Sequence, residues 1–268
     1  MLLRPPAPVP VAPHLALRSC QNPKSRVPRS WRHRSTSTEL TSSSRRTSSS
    51  RARRCLPTRC SRATSRGPGS FTRPRAPWER IEPVAATLGD LDPNIDAREG
   101  DVPDEEWRGF HRIEQALWVD EITEGQEEYA RQLRTDVEQL QGEVQDLELR
   151  PEDLVTGSIE LLNEVSAGKI TGEEERYSRT DLYDIQANVE GSEAAFEALR
   201  PSLEERDPGL VAEIEDRFGA VYETLEPYRQ GDGWVPYTEL DEGERRRISQ
   251  RIDALAEHLS QIGQVLEA

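Results

Sequence analysis

The chain has 268 residues, a formal net charge of −15 and 32% charged residues. Its three cysteines, Cys20, Cys55 and Cys60, all precede residue 76, so the remainder needs no disulfide and offers no thiolate to a metal. No apolar run reaches the length of a membrane-spanning helix, and a surface as acidic as the C-terminal part implies repels nucleic acid.

The net charge averages two unlike segments. Residues 1–75 hold 17 Lys and Arg against one acid, Glu39, which leaves 76–268 with 18 basic and 49 acidic residues and a net charge of −31. Arg, Ser, Thr and Pro dominate the first segment, which cannot bury enough apolar surface to offset its chain entropy and is expected to be disordered. Pro5, Pro6, Pro8, Pro10 and Pro13 break any signal-peptide core, and Arg18 spoils a lipobox ending at Cys20, so no targeting signal is readable. The acidic segment is long enough for one domain with its own core. Lys24 and Lys169 are the chain's two lysines. An acidic, lysine-poor surface of this kind is expected of a halophile's protein, and unfolding in low-salt buffer is its test.

In chain order, Trp78 to Leu88 is expected to be helical and bent near Pro83, followed by a turn at Gly89–Asn94 and a polar loop from Asp96 to Asp104. A helix is expected from Glu105 to Val119 and a longer one from Gln126 to Leu147. In the latter, Leu133, Val137, Leu140, Val144 and Leu147 step 4, 3, 4, 3, the seam of a helix packed on another. Pro151 suits the first turn of a helix that ends at Gly168. An acid-rich loop, Ile170 to Thr180, precedes a helix from Asp181 to about Leu203. Asp207-Pro208 opens the next helix as N-cap and first residue, with Leu210, Ile214, Phe218, Val221, Leu225 and Tyr228 as its stripe. Asp241 and Glu244 form a capping box for a last helix reaching Leu266. No useful strand alternation occurs, so the fold class is all-α, an antiparallel helical bundle.

His111 and Glu114 stand three residues apart on one helix face and can reach a common atom. By itself H-x-x-E is weak, since most such pairs are solvated or simply hydrogen-bonded. The acidic segment holds one other histidine, His258, between seam residues Leu255 and Leu259 and expected to be half-exposed. His111 is therefore the one good nitrogen donor. One imidazole with carboxylates suits iron, zinc or manganese and not copper(I).

Three stretches, PWERIEPVAATLGDLDPNIDAREGD from Pro77, WRGFHRIEQALW from Trp107 and GKITGEEERYSRTDLYDIQANVEG from Gly168, closely resemble the imelysin-like domain of EfeO-type iron-uptake proteins. The resemblance covers about 76–268. It implies two packed helical bundles, with the first helices replaced here, and a metal-binding protein of the cell envelope, periplasmic or lipid-anchored. Such a protein captures iron and delivers it to a membrane permease and its associated uptake components. The implied ligands are Glu79, Asp96, His111, Glu114 and Glu174, with Glu82 and Glu175 as substitutes and Arg98, Arg112 and Arg176 pairing with the ligand carboxylates. Against each stands a plainer role: helix N-terminal charges for Glu79 and Glu82, an Asx turn for Asp96, a solvated run for Glu173 to Glu175.

The family segment ahead of this region also suggests a frame error. The codons of Ser70–Arg75, read one base earlier, can give Glu-Leu-Tyr-Ala-Pro-Ala-Arg, much like the family's words there. Two other functions compete with metal capture. A relative in the family binds alginate, and Trp107, Trp118, Tyr177, Tyr183, Trp234 and Tyr237 would line such a groove for an acidic polysaccharide if they were not bundle core. A metallopeptidase-like hydrolase needs H-E-x-x-H, and this segment has one histidine where that motif has two. The expectation is therefore metal capture and not catalysis.

Overall fold

The computed structural model describes residues 69–267, with side chains from residue 74. The expectations of disorder and of a frame error bear mostly on residues 1–68, which lie outside the described residues. For residues 69–75 the expectation of disorder is corrected. They form the first part of helix α1, Gly69–Ile81, so the boundary drawn at 75/76 falls inside a helix. Composition misled there because α1 is fixed from outside: Arg75 and Trp78 are buried against other elements, and tertiary packing overrides local propensity.

A 3-10 segment, Glu82–Leu88, continues α1 beyond the bend anticipated at Pro83. Helix α2, Leu91–Asp96, occupies part of the expected turn, with Pro93 in its first turn. Helix α3, Phe110–Trp118, is shorter than expected, and α4 is Glu127–Asp146. The register of α4 differs by one position from the seam reading. Leu133, Asp136 and Leu140 are buried and Val137 is 40% exposed. Asp136 faces inward because Gln132 Nε2 donates to it at 3.0 Å and Arg108 lies 3.5 Å away.

Helix α5 is Pro151–Ala167 and α6 is Asp181–Glu204. The Asp207 side chain accepts the Leu210 N–H at 2.9 Å, which caps α7, Pro208–Leu225. Strands β1, Arg229–Gln230, and β2, Gly233–Trp234, make a small hairpin absent from the sequence expectation. Helix α8, Glu242–Leu259, opens on the expected capping box. It breaks at Ser260, and α9 is Ile262–Glu267.

The described residues are all-α apart from that hairpin. Two apolar clusters form. The larger joins α5, α6, α7 and α8, through residues such as Leu162, Ile185, Phe218 and Ile252. The smaller joins α1, α2, α3 and α4, through Trp78, Ile95, Ile113 and Leu133. Between them α1 lies along α6, and the 3-10 segment lies along α5. The polar site sits at this seam.

Candidate metal centre

Each wall of the site is fixed by a local contact. On α1, Arg75 and Glu79 are one turn apart and share a face. The helix approaches α6 so closely that a Cβ at Gly191 would collide with the Arg80 carbonyl, which explains a glycine inside α6. Asn188 Nδ2 donates to the Glu79 carbonyl at 2.9 Å and seats the same turn. Asp96 closes α2. The loop beyond it is pinned where Trp107 Nε1 donates to the Ala97 carbonyl at 2.8 Å. Gly109, at φ 91°, packs on the Ile95 backbone, so α3 starts beside the end of α2 and His111 comes next to Asp96. Glu114 Oε1 accepts the N–H groups of Tyr177 (3.0 Å) and Ser178 (2.7 Å), which folds the acid-rich loop over α3.

His111 is 1% exposed and lies between two sets of carboxylates. Its Nδ1 is 3.0 Å from Glu114 Oε2. Its Nε2 is 3.7 Å from both Asp96 Oδ1 and Glu174 Oε1. Asp96, His111 and Glu174 each offer one donor atom with all three inside 4.8 Å, and so do His111, Glu114 and Glu175. The first set is the better metal seat. The Nδ1–Glu114 bond orients the ring and leaves the Nε2 lone pair facing Asp96 and Glu174, the usual division of labour for a ligating histidine.

The guanidinium of Arg75 fills the middle. Its Nε donates to Glu79 Oε1 at 2.8 Å, and its Nη2 donates to Glu174 Oε1 at 2.9 Å and lies 3.2 Å from Asp96 Oδ1. Its Nη1 donates to Glu175 Oε1 and stands 2.9 Å from His111 Nε2. Lys169 supplies a second buried cation. Its Nζ donates to Glu82 Oε1 at 2.8 Å and to Glu79 Oε2 at 3.3 Å, and lies 3.4 Å from Glu174.

Burial and mutual repulsion leave these acids unequal. Burial raises Asp96 to about 6 although Arg75 opposes it, and raises Glu175 to about 7. Burial also lifts Asp181 to about 6 and pushes Asp184 well above the carboxylate range. Glu79 is buried too, but Arg75 and Lys169 overcome that and hold it at about 2. Glu174 is likewise held well below its ordinary value, chiefly by Lys169 against the effect of burial. On His111, burial and Arg75 act downward, while Glu114, Glu174 and Asp96 act upward and bring it to about 9. A metal at Nε2 would require the deprotonated ring, so an entering ion would displace that proton.

The sequence-predicted ligands meet at this seam, with distinct surroundings. Asp96 and Glu174 face His111 Nε2, and Glu114 takes the Nδ1 side. Glu79 faces Arg75 and Lys169, and Glu82 faces Lys169 and Asn188. Glu175 lies on Arg75, Ser178 and Thr180. Glu173 is exposed. Arg98 reaches Glu174 Oε2 at 2.9 Å. The other two expected arginines do not reach a ligand. Arg112 stacks over Trp107 and Tyr129, and Arg176 reaches the Glu99 carbonyl at 3.3 Å; both point away because i+1 neighbours on a helix or turn diverge. Arg75, Lys169, Asp184 and Asn188 were missed. A signal existed for Lys169, the one lysine in a domain that otherwise uses arginine.

His258 is half-buried on α8, with its Nδ1 2.7 Å from the Ala254 carbonyl. Of the aromatic set, Trp107, Trp234 and Tyr237 are buried, and Trp118, Tyr177 and Tyr183 are partly so. Among the described residues no helix is long and apolar enough to cross a membrane.

The chain is 43% identical over 198 residues to the iron uptake system component EfeM of Bacillus subtilis (strain 168), covering 73% of this chain and 51% of that protein. It is 45% identical over 196 residues to the iron uptake system component EfeO of Escherichia coli (strain K12), covering 72% and 52% respectively. The chain thus spans about half the length of these curated relatives. The family model Peptidase_M75, described as Imelysin, matches residues 69–262, and the chain belongs to the imelysin family.

Proposed function

We propose that this protein is an extracytoplasmic iron-binding component of an uptake system, which takes an iron ion at Asp96, His111 and Glu174 and passes it to a membrane permease. The observation that carries this reading is the convergence of one imidazole nitrogen and two carboxylates from α2, α3 and the acid-rich loop, three separate places in the sequence. Nothing in helix packing requires these places to meet. A mixed nitrogen–oxygen donor set suits iron, with zinc or manganese as competitors. The names of the relatives, iron uptake system components, support iron as the cargo. The surplus of buried carboxylates over Arg75 and Lys169 supports a cationic cargo, because buried negative charge is costly until it is paired.

Capture is preferred to hydrolysis because the site has a single imidazole and the other histidine of the domain is engaged elsewhere. Titration of the purified chain with ferrous, ferric and zinc ions tests the reading. His111→Ala is expected to abolish binding and leave the helical circular dichroism unchanged. Unaltered affinity in that variant would remove the assignment. An alginate polymer that binds only with metal present would favour the polysaccharide function instead.

A further inference from the structure

Resting on the metal-capture reading, the geometry points to Arg75 as a tethered counter-ion that occupies the seat of the metal and withdraws onto Asp184 when a metal enters. Arg75 and a metal ion compete for the same atoms. With Nδ1–H given to Glu114, the lone pair His111 can offer a metal is that of Nε2, and Arg75 Nη1 lies against the ring, 2.9 Å from Nε2 and 3.2 Å from Nδ1. A metal would need that lone pair at about 2.0–2.1 Å. Arg75 Nη2 also holds Glu174 Oε1 at 2.9 Å and lies 3.2 Å from Asp96 Oδ1, the other two donors of the set. The guanidinium and the ion therefore exclude each other.

A place for the displaced group already exists. Asp184, 1% exposed on α6, has no hydrogen-bond partner on either carboxylate oxygen. Leaving a buried carboxylate unpartnered costs the free energy of its desolvation. Its Oδ1 lies 3.8 Å from Arg75 Nε, whereas the contacts with His111, Asp96 and Glu174 are made by Nη1 and Nη2. A short swing of the guanidinium would trade the contacts with His111, Asp96 and Glu174 for a forked bond to Asp184, a geometry that suits arginine and carboxylate. Without the metal, Arg75 holds mutually repelling acids together. With the metal, it satisfies the acid that was left over.

A double-mutant cycle tests this, with zinc chloride as a redox-inert probe on the full chain by calorimetry. Arg75→Gln is expected to tighten zinc binding by about tenfold and to lower the metal-free melting temperature. Asp184→Asn is expected to weaken zinc binding by about tenfold in the native background, the scale of a partner outside the ligand shell. In the Arg75→Gln background the same change is expected to cost almost nothing, because the two residues act as one unit. Equal losses in both backgrounds would overturn the swing and make Asp184 a ligand, and weaker binding by Arg75→Gln would overturn the competition. If Arg75→Gln does not fold, a crystal structure of the zinc-loaded native chain decides. A guanidinium on Asp184 supports the inference, and one still on His111 Nε2 overturns it. A native chain that takes up no zinc or iron overturns the capture reading as well, whereas metal uptake with additive losses overturns only this inference.

Discussion

Glu114 holds His111 from behind: Oε2 lies 3.0 Å from the ring Nδ1, while Oε1 is fixed by two backbone N–H groups of the acid-rich loop. The carboxylate therefore sets both the tautomer of the ring and the position of Glu174 and Glu175. In Glu114→Gln the amide oxygen is expected to keep the backbone N–H groups, which turns the amide NH2 toward Nδ1. The ring would then carry its proton on Nε2, away from the tautomer a metal requires. Metal affinity is expected to fall by about 10–100-fold with the fold intact. Calorimetric titration with zinc, beside circular dichroism, measures both.

Lys169 is a buried cation whose removal leaves Glu82 and Glu79 facing each other with less compensation. Lys169→Met preserves much of the side-chain volume and removes the charge. Breaking a buried pair from one side costs about 3–5 kcal/mol. Urea denaturation is expected to show a loss on that scale at neutral pH, with partial recovery as the pH is lowered and the acids take up protons.

The stability of the metal-free protein is expected to fall as pH rises from about 5 to 8. Asp96, Asp181 and Glu175 are raised to about 6, 6 and 7, so across this interval the folded state binds more protons than the unfolded one. The slope of unfolding free energy with pH is then negative. Glu79, held at about 2, acts oppositely: its contribution is present above its unfolded value and is lost as pH falls toward 2. Maximum stability is expected on the acid side of neutrality. Saturating metal is expected to flatten the profile, because it replaces the protons as counter-charge. Melting curves at several pH values, with and without zinc, check both parts, and a melting temperature that rises steadily to pH 8 would contradict the assignment.

Gly191 is where α6 admits the backbone of α1. Gly191→Ala places a methyl group against the Arg80 carbonyl, and overpacking of this kind costs about 1–3 kcal/mol. Because α1 carries Arg75 and Glu79, the substitution is expected to weaken metal binding as well as stability. An alanine at Gly142, on α4 with open space around it, is the control: it is expected to leave metal binding unchanged and to raise stability by about 0.5–1 kcal/mol.

Local physics made most of the helices legible. The capping box at Asp241 and Glu244, the Asp207 cap and the apolar steps of α7 and α8 are contained within a few residues each, and the structure repeats them. The H-x-x-E pair was legible for the same reason: helical spacing puts His111 and Glu114 on one face. The register of α4 was not, because Asp136 is drawn inward by Arg108 from another element.

Arg75 shows the limit most clearly. In the sequence it closes a basic stretch that looks unable to fold, and its charge looks like one more of that stretch. Its burial depends on acids that lie 4, 21, 99 and 100 residues further along the chain. Local pattern carries no term for such a meeting. Composition, spacing and motif order determined the helices, the acidic domain and the donor types. Only the tertiary structure decided that the carboxylates surround a guanidinium, that Lys169 neutralises the inner pair and that Asp184 is left without a hydrogen bond, because electrostatic pairing in a buried site is set by distance in space and not along the chain.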